Sequence, residues 1–388
     1  MKNWSLKAVV LSISLLMLTP TAVSPAISEM ISVFKDTDPA LIKWVITLPS
    51  LVMVFFALIY GRLATFISKK TLTLVALICF FIGGVVPAFL NNFTMILAMR
   101  ALFGVGIGFL MPLAVGLIAD FFEGKELGEM MGYQSAVVNL GTLIFMFIAG
   151  LLAAVGWNYT FLVYSAGLFI AIWIFFKLPE PPRAEPPKTG EKVKMPVKVY
   201  TIILAVFLFN MMFTVIFTDA SVMITGEGIG TIAQGGTVLT ILAAGGLIGG
   251  LIFGKIMEIL KKFTVSFGWL LTGLGMGTIA MSSNLTLISL GSALVGFGMA
   301  IAMPFYMILL SKASPPSINT KAFAYSTSLI GIGIFLSPII FTQLINIFGK
   351  EAGRFPILIS AIVLLVAGCA VLVYNYFEKS PIEAEVSA

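Results

Sequence analysis

The stretch Ala101–Pro112 reads ALFGVGIGFLMP, and the stretch Ala293–Pro304 reads ALVGFGMAIAMP. The two stretches lie 192 residues apart and share an alanine, a leucine, two glycines, a methionine and a proline at matching places. The same offset aligns Gly141 with Gly333 in the next apolar segment of each half. A constant shift across separate segments indicates that the chain is an internal duplication.

Composition identifies the solvent of this duplicated chain. Apolar residues make up 59% of the 388 positions and charged residues only 10%, against roughly 25% charged residues in a typical soluble domain. A water-soluble fold cannot cover so much apolar side chain, which excludes a soluble enzyme, a nucleic-acid-binding module and a disordered scaffold. Lipid is therefore the expected surrounding, and long unbroken apolar runs favour helices over a membrane β-barrel.

Twelve segments are long enough to cross the hydrocarbon core, which takes about 20 apolar residues per helix. They are predicted at residues 7–33, 41–62, 71–90, 94–118, 131–155, 160–178, 200–224, 232–256, 264–283, 286–311, 321–346 and 354–377. We expect an N-terminal six-helix bundle at residues 1–178 and a C-terminal one at residues 200–388. The proline- and lysine-rich segment 179–199 predicts a cytoplasmic linker. The predicted fold class is an all-α membrane protein with two pseudo-repeated six-helix bundles.

The lysines and arginines predict the orientation. With the N-terminus inside, 18 of them fall on the cytoplasmic side and 4 outside, and Arg100 lies within a span. This asymmetry follows the positive-inside rule and predicts a multi-pass protein of the cell membrane with both termini in the cytoplasm. A secretory signal peptide is the alternative for the first span, but its apolar character continues past Pro20 and Pro25 to Phe34.

The sequences of two predicted loops resemble a motif of a known protein family. Residues 61–70 read GRLATFISKK and resemble the loop G-x-L-a-D-r-x-G-r-r/k of the major facilitator superfamily, with a threonine in place of the aspartate. Residues 254–262 read GKIMEILKK and repeat the pattern at an offset of 193. The resemblance implies a cytoplasmic gate, or latch, in which Asp120 pairs with Lys69 or Lys70. The residues assigned to it are Gly61, Thr65, Lys69, Lys70, Asp120, Gly254 and Glu258. A simple positive-inside turn is the alternative.

The fourth and fifth spans extend the resemblance. Arg100 and Gly104 match an R-x-x-x-G motif that the family links to proton coupling. A lone arginine inside a membrane is costly, so it should face a cavity or a carboxylate. Snorkelling to the outer interface is the alternative. Gly132, Gly141 and Gly150 resemble the signature that separates efflux antiporters from uptake systems, although its Gly-Pro pair is missing.

A candidate coupling and substrate cavity follows from the remaining polar residues. Glu29 and Asp219 lie in the first span of each half, and a buried carboxyl group can carry a proton where a chain has no histidine. Both could instead be wetted at the outer mouth. Uncharged polar residues either line the cavity or bond helix to helix: Gln134, Asn139, Asn210 and Gln343. Small residues should allow close helix packing at Gly104, Gly106, Gly141, Gly296 and Gly298.

The resemblance implies a secondary transporter that works by alternating access, and not an enzyme. The leading hypothesis is proton-coupled export of small amphipathic organic compounds by a monomer without a cofactor or a nucleic-acid partner. One alternative is a carrier for a small organic anion, with Arg100 as counter-charge, or for a sugar. A membrane-embedded enzyme is the alternative of another class, and the lack of histidine and of paired intramembrane acids argues against it.

Overall fold

The computed structural model describes residues 4–17, 19–122, 124–180, 195–314 and 319–377, without the side chains of residues 65, 124, 125, 127, 128, 131, 135 and 319–321. These residues form helices joined by short turns, and contacts divide the chain into two compact units, Met1–Gly190 and Glu191–Ala388. The division falls within the predicted linker, of which residues 181–194 lie outside the described chain.

The first unit contains seven α-helices and several 3-10 turns among its described residues. The helices are α1 (Trp4–Ser12), α2 (Ile27–Val33), α3 (Pro39–Phe66), α4 (Lys69–Val85), α5 (Phe93–Phe121), α6 (Gly124–Ala153) and α7 (Ala166–Lys177). The 3-10 turns are Ile13–Leu16, Thr19–Ala26, Val86–Phe89 and Tyr159–Ser165.

The second unit contains six longer helices and one 3-10 turn among its described residues. The helices are α8 (Val197–Gly226), α9 (Ile232–Leu260), α10 (Thr264–Met281), α11 (Leu285–Ala313), α12 (Asn319–Phe348) and α13 (Arg354–Phe377), and the turn is Lys261–Phe263. The first crossing of this half, α8, is therefore continuous, whereas its counterpart in the first half is interrupted.

The first crossing of the chain is a broken helix. Its two pieces, Trp4–Leu16 and Thr19–Val33, meet at a bend of 43°. Pro20 and Pro25 lie in the second piece, where each removes a backbone N–H and disfavours a regular α-helix. The break therefore leaves backbone carbonyls without helical partners in the middle of the crossing.

The described chain makes twelve crossings, although one apolar run contains two of them. The run Ile232–Met281 has 50 residues, and a straight helix of that length would measure about 75 Å, more than twice the hydrocarbon core. The chain reverses at Lys261, which has a φ of 47°. Accordingly α9 packs parallel to α11, and α10 packs antiparallel to it.

The sequence fixes several helix starts through capping residues. The Asn92 side chain accepts a hydrogen bond from Met95 N at the start of α5, and Asn284 accepts one from Thr286 N at the start of α11. These two asparagines lie at the repeat offset of 192. An N-cap of this kind is worth about 1 kcal/mol. The duplication therefore preserves helix boundaries as well as apolar segments.

Glycines at equivalent positions hold equivalent helices together. A Cβ at Gly106 would lie 2.7 Å from Ala76 O of α4, and a Cβ at Gly298 would lie 2.7 Å from Gly268 O of α10. Each pair of partners is related by the same offset of 192. Such close approaches are open only to glycine, which allows backbones to contact directly.

The remaining glycines of the packing set follow the same rule. Gly104 of α5 lies against Pro49 of α3, and Gly296 of α11 lies against Leu242 of α9. Gly141 of α6 contacts Leu15 in the first crossing, and its counterpart Gly333 contacts Phe207 in α8. The two halves are therefore built from the same helix pairs with the same registers.

Candidate transport site

Arg100 and Tyr164 bind the backbone that the break in the first crossing exposes. Arg100 Nη2 donates to Pro20 O at 3.2 Å, and the Tyr164 hydroxyl donates to Thr19 O at 3.0 Å. Arg100 Nε donates to Val45 O of α3 at 2.7 Å. One buried cation thus connects the first, second and fourth crossings at the point where the first crossing is irregular.

The surroundings of Arg100 are aromatic and dry. The side chain is 0% exposed, which contradicts the alternative of snorkelling to the interface. Its guanidinium carbon lies 4.2 Å from the Phe103 ring centre, 5.2 Å from that of Tyr164 and 6.0 Å from that of Phe161. The aromatic faces offset part of the cost of burying the charge.

The expected cavity or carboxylate is not what Arg100 contacts. It donates to two backbone carbonyls and lies within side-chain hydrogen-bonding reach of Tyr164, while its Nη1 atom is buried without a partner. A buried donor left unpaired costs about 1–3 kcal/mol, and more for a charged group. Arg100 therefore retains one donor for an acceptor that this conformation does not supply.

The second half has a neutral version of this contact. Ser292, the repeat counterpart of Arg100, donates from Oγ to Val238 O at 2.8 Å. Val238 lies at an offset of 193 from Val45, the acceptor of Arg100. Both residues therefore bind the same place on the neighbouring helix. The contact itself is part of the scaffold, and the charge is specific to the first half.

The two candidate coupling acids differ in their surroundings. Asp219 is 1% exposed, and its oxygens accept from Thr218 Oγ1 at 2.7 Å and from Gly353 N at 3.1 Å. Gly353 has a φ of 95° and lies against Met223. Asp219 thereby holds the loop between α12 and α13 against α8, a structural task.

Glu29 has no such set of partners. It lies in α2, after the 3-10 turn Thr19–Ala26 that follows the break, and is partly buried. Its Oε2 atom is buried without a hydrogen-bond partner. The structure thus distinguishes two acids that occupy similar places in the sequence.

The uncharged polar residues predicted to line the cavity differ in their burial and in their partners. Gln134 is buried and donates to Met17 Sδ at 3.8 Å in the first half. Asn210 is buried and donates to Val206 O at 2.9 Å and to Met303 Sδ at 3.5 Å in the second half. Asn139 is half-buried and Gln343 is exposed. Gln134 and Asn210 therefore bond between helices of one half.

The predicted gate contains an ion pair at the first-half loop. Lys69 Nζ lies 2.7 Å from Asp120 Oδ1 and 2.6 Å from Oδ2, and the two side chains are 9% and 16% exposed. Lys69, rather than the half-buried Lys70, is therefore the partner of Asp120. Ser68 caps α4 by accepting from Thr71 N at 3.1 Å.

The other gate residues lie on open surface or outside the description. Gly61 and Gly254 are exposed, and a Cβ at either would meet nothing within 4 Å. Glu258 is exposed on α9. The side chain of Thr65 lies outside the described residues. Gly61 and Gly254, expected in loops, lie inside α3 and α9 and are not packing residues within their own halves.

Sequence reasoning missed an ion pair at the other end of the second half. Arg354, the first residue of α13, donates from Nε to Glu227 Oε1 at 3.0 Å and to Oε2 at 3.1 Å. Arg354 Nη1 also donates to Ala280 O and Ser282 O at the end of α10. The pair connects the ends of α8 and α10 with the start of α13. A loop acid and a loop base far apart in sequence give no pattern that predicts their contact.

These observations define the class of the protein as a membrane transporter made of two six-helix repeats. The chain belongs to the Major Facilitator Superfamily, whose sequence model matches residues 9–262 and 202–388. The predicted family and fold class are therefore confirmed. Membership of this family points to a transporter and not to the membrane-embedded enzyme considered above.

A solved structure agrees on the fold. A crystal structure of a D-xylose-proton symporter superposes with a TM-score of 0.77 over 95% of this chain and 97% of that chain, at 17% identity. At such identity the likeness concerns the fold alone.

Curated relatives include both uncharacterised and named transporters. The chain is 25% identical over 305 residues to the uncharacterised MFS-type transporter YceJ of Bacillus subtilis, covering 75% of this chain and 78% of that protein. It is 26% identical over 151 residues to the putative niacin/nicotinamide transporter NiaP of the same organism, covering 39% and 38%. It is 33% identical over 107 residues to the quinolone resistance protein NorA of Staphylococcus aureus, covering 28% and 27%.

Proposed function

We propose that this chain exports small amphipathic organic compounds across the cell membrane in exchange for protons, by alternating access of its two halves. Both termini would lie in the cytoplasm, as the distribution of 18 and 4 basic residues favours. The buried, unpaired carboxyl oxygen of Glu29 is the observation on which the coupling part of this proposal rests.

The substrate class is supported by the name of one relative and by side-chain chemistry. NorA is named for quinolone resistance, and the match to it covers 28% of this chain. In the second half, α8 buries Phe209, Phe213, Met211 and Met212 near its middle. Flexible thioethers and aromatic rings suit ligands of varied shape, because they adapt without fixed polar contacts.

The fifth-crossing signature also favours efflux. Its central glycine, Gly141, contacts the backbone of Leu15 where α1 gives way to a 3-10 turn. The helix that resembles the antiporter signature therefore packs against the broken first crossing. Discontinuous helices in transporters expose backbone groups at the site where substrate and coupling ion bind.

Coupling is assigned to Glu29 by comparison with Asp219. Asp219 accepts hydrogen bonds from a hydroxyl group and a backbone N–H, and the second of these holds the loop at Gly353. A coupling role for Asp219 would require this loop to be released. Glu29 has a buried oxygen free of such bonds. Ionisable side chains within membrane spans mark proton relays in transporters, which is the role proposed for this carboxyl group.

The test is transport by the purified full chain in liposomes that contain a fluorescent pH indicator. Addition of a fluoroquinolone or tetraphenylphosphonium to wild type should move protons and accumulate compound against its gradient when a pH gradient is imposed. In Glu29→Gln this pH-driven accumulation should be at least ten-fold lower than in wild type, whereas the exchange of labelled for unlabelled compound should remain. The amide imitates the protonated acid, so binding and alternation remain while coupling is lost.

Asp219→Asn is the matched control in the other half. It should lower the melting temperature, because the amide is a poorer acceptor for Gly353 N, and leave the ratio of protons to compound unchanged. If Glu29→Gln still accumulates compound as wild type does, or if Asp219→Asn alone abolishes coupling, Glu29 is not the coupling acid. If neither probe is transported or exchanged by wild type, the export hypothesis is wrong.

A second candidate, a carrier for a small organic anion, is favoured by the unpaired Nη1 of Arg100. NiaP is named as a niacin/nicotinamide transporter, and the match to it covers 39% of this chain. In this case nicotinate, and not nicotinamide, should stabilise the protein against heat, and Arg100→Ala should remove the effect. Stabilisation scales with the logarithm of ligand concentration over Kd, so the two probes can be compared directly.

A further inference from the structure

Three aromatic rings form a cage around the guanidinium group of Arg100. The guanidinium carbon lies 4.2 Å from the ring centre of Phe103, 5.2 Å from that of Tyr164 and 6.0 Å from that of Phe161. All four side chains are 0% exposed. Aromatic faces attract a cation most strongly where water is excluded. The cage is therefore a site whose chemistry suits a positive charge.

Two backbone carbonyls complete the cage as hydrogen-bond acceptors. Val45 O accepts from Arg100 Nε at 2.7 Å, and Pro20 O accepts from Arg100 Nη2 at 3.2 Å. A cation without N–H groups could use the rings but not these acceptors. A planar cation with several N–H groups uses both, and its hydrogen bonds are strengthened by its charge. The combination therefore favours a guanidinium or an amidinium group over a quaternary ammonium ion.

Packing behind the rings fixes their positions. The centre of the Phe80 ring lies 4.7 Å from that of Phe103 and 5.7 Å from that of Tyr164. A Cβ at Gly84 would lie 2.5 Å from Tyr164 Cβ, so this glycine lets the tyrosine approach α4 closely. Gly167 gives the Phe80 ring room in the same way. The rings are thus held by the scaffold of the first half and not by the arginine alone, as a preorganised site requires.

Arg100 occupies this cage without satisfying all of its own donors. Its Nη1 atom is buried and has no hydrogen-bond partner. The side chain is attached to α5, which limits how its guanidinium group can turn within the cage. A free cation of the same shape has no such attachment and can orient each N–H group. At the repeat offset of 192, Ser292 and Val295 take the places of Arg100 and Phe103, so this arrangement is specific to the first half.

We propose that the cage binds the charged end of the exported compound, which is a guanidinium or amidinium cation, and that Arg100 occupies the cage when the compound is absent. This assignment rests on the proposed function and narrows its substrate class. Two like charges repel each other strongly in a dry site, so the compound and Arg100 exclude one another. Entry of the compound then removes the hydrogen bonds by which Arg100 connects α5 with α3 and with the broken first crossing.

The first test uses Arg100→Ala, in which no side-chain cation occupies the cage. Millimolar methylguanidinium should raise the melting temperature of this purified variant in neutral detergent by about 3 °C. Methylurea, a neutral compound of nearly the same shape, should not raise it. Wild type should show a smaller shift with methylguanidinium, because the attached arginine competes at a high effective concentration. No shift in Arg100→Ala, or an equal shift with methylurea, would overturn the proposal.

The second test keeps Arg100 and measures transport by the full chain in liposomes that contain a pH indicator. Benzamidinium should move protons with wild type, whereas the neutral benzamide should not. Phe103→Leu removes the ring nearest to the cation and should raise the half-saturating concentration of benzamidinium about ten-fold. Phe80→Leu is the matched control, because Phe80 packs behind the same rings, and it should leave that concentration nearly unchanged. Both variants lose one buried ring, so a merely structural effect would change both alike.

The outcomes separate this assignment from the export function itself. Proton-coupled transport of a fluoroquinolone or tetraphenylphosphonium, without transport of benzamidinium, would keep export and overturn the assignment of the cage. Equal effects of Phe103→Leu and Phe80→Leu on benzamidinium would also overturn it. If none of these compounds moves with protons, the proposed function fails, and the assignment that rests on it fails with it. The comparison of benzamidinium with benzamide needs wild type only, so it decides the matter even if a variant does not fold.

Discussion

The two halves share their packing and differ in their charges. Gly106 and Gly298 contact equivalent helices. At other equivalent positions the residues differ, since Arg100 corresponds to Ser292 and Asp120 corresponds to Lys312. Among the described residues the first half has the ion pairs Lys7–Glu126 and Lys69–Asp120, and the second half has Arg354–Glu227 at the start of α13. Duplication has thus kept the contacts that hold helices together, and the charged groups have diverged.

This difference indicates which residues belong to the scaffold and which to the function. A contact present in both halves, such as that of Arg100 or Ser292 with the neighbouring helix, belongs to the shared scaffold. A charged residue present in only one half is expected to serve a function that the other half does not have. The comparison can be tested by making equivalent changes in both halves.

The largest difference is expected for Arg100→Ala against Ser292→Ala. Arg100→Ala removes two hydrogen bonds from a charged donor and should lower the free energy of unfolding by about 3 kcal/mol. Ser292→Ala removes one neutral hydrogen bond and should cost about 1 kcal/mol. The measurement is thermal unfolding in detergent, with Arg100→Lys as a control that keeps the charge. Equal losses for the two alanine variants would mean that the contacts of Arg100 with the broken first crossing add nothing.

An equal loss in both halves is expected for Gly106→Ala and Gly298→Ala. In each case the new Cβ would lie within 2.7 Å of backbone atoms of the neighbouring helix, so the helices must separate. Each change should cost about 2 kcal/mol. Gly61→Ala and Gly254→Ala are the matched controls, since a Cβ there meets nothing within 4 Å, and they should stabilise the helices by about 0.5 kcal/mol. Clearly unequal losses at Gly106 and Gly298 would show that the halves do not pack alike.

The smallest losses of stability are expected for the ion pairs Lys69–Asp120 and Arg354–Glu227. The Lys69 and Asp120 side chains are 9% and 16% exposed, and those of Arg354 and Glu227 are 30% and 34% exposed. Asp120→Asn should therefore cost about 1.5 kcal/mol, and Glu227→Gln about 0.5 kcal/mol because solvent screens the pair. Melting temperatures at low and high salt measure both. A stronger salt dependence for Asp120 than for Glu227 would reverse the assignment of burial.

Particular residues show which structural features could be predicted from the sequence. The offset of 192 and the apolar runs predict two halves of six crossings, and Asn92 and Asn284 could have been recognised as caps because each precedes an apolar run. The loop pattern limits the partners of Asp120 to two neighbouring lysines. It cannot choose between them, because the choice depends on the rotation of α4 about its axis. That rotation is set by packing against α5.

The candidate site was predictable as a set of residues and not as a set of contacts. Glu29 and Asp219 occupy similar places in the first crossing of each half, and only the fold brings Gly353 N to one of them. Tyr164 gives no signal in the sequence, since it is one aromatic residue in an apolar run. It belongs to the site because the break at Pro20 leaves carbonyls that need donors.

The sequence by itself determined that this protein lies in a membrane, that it has two related halves, and in which stretches of chain the crossings lie. These properties depend on local composition and on the periodicity of apolar side chains, both of which are visible in the sequence. The tertiary structure alone decided that Arg100 binds backbone carbonyls, that Asp219 is bonded while Glu29 is left with an unpaired oxygen, and that three aromatic rings surround the guanidinium group of Arg100. Those facts depend on which helix faces meet in space, and distant residues do not record that in their spacing.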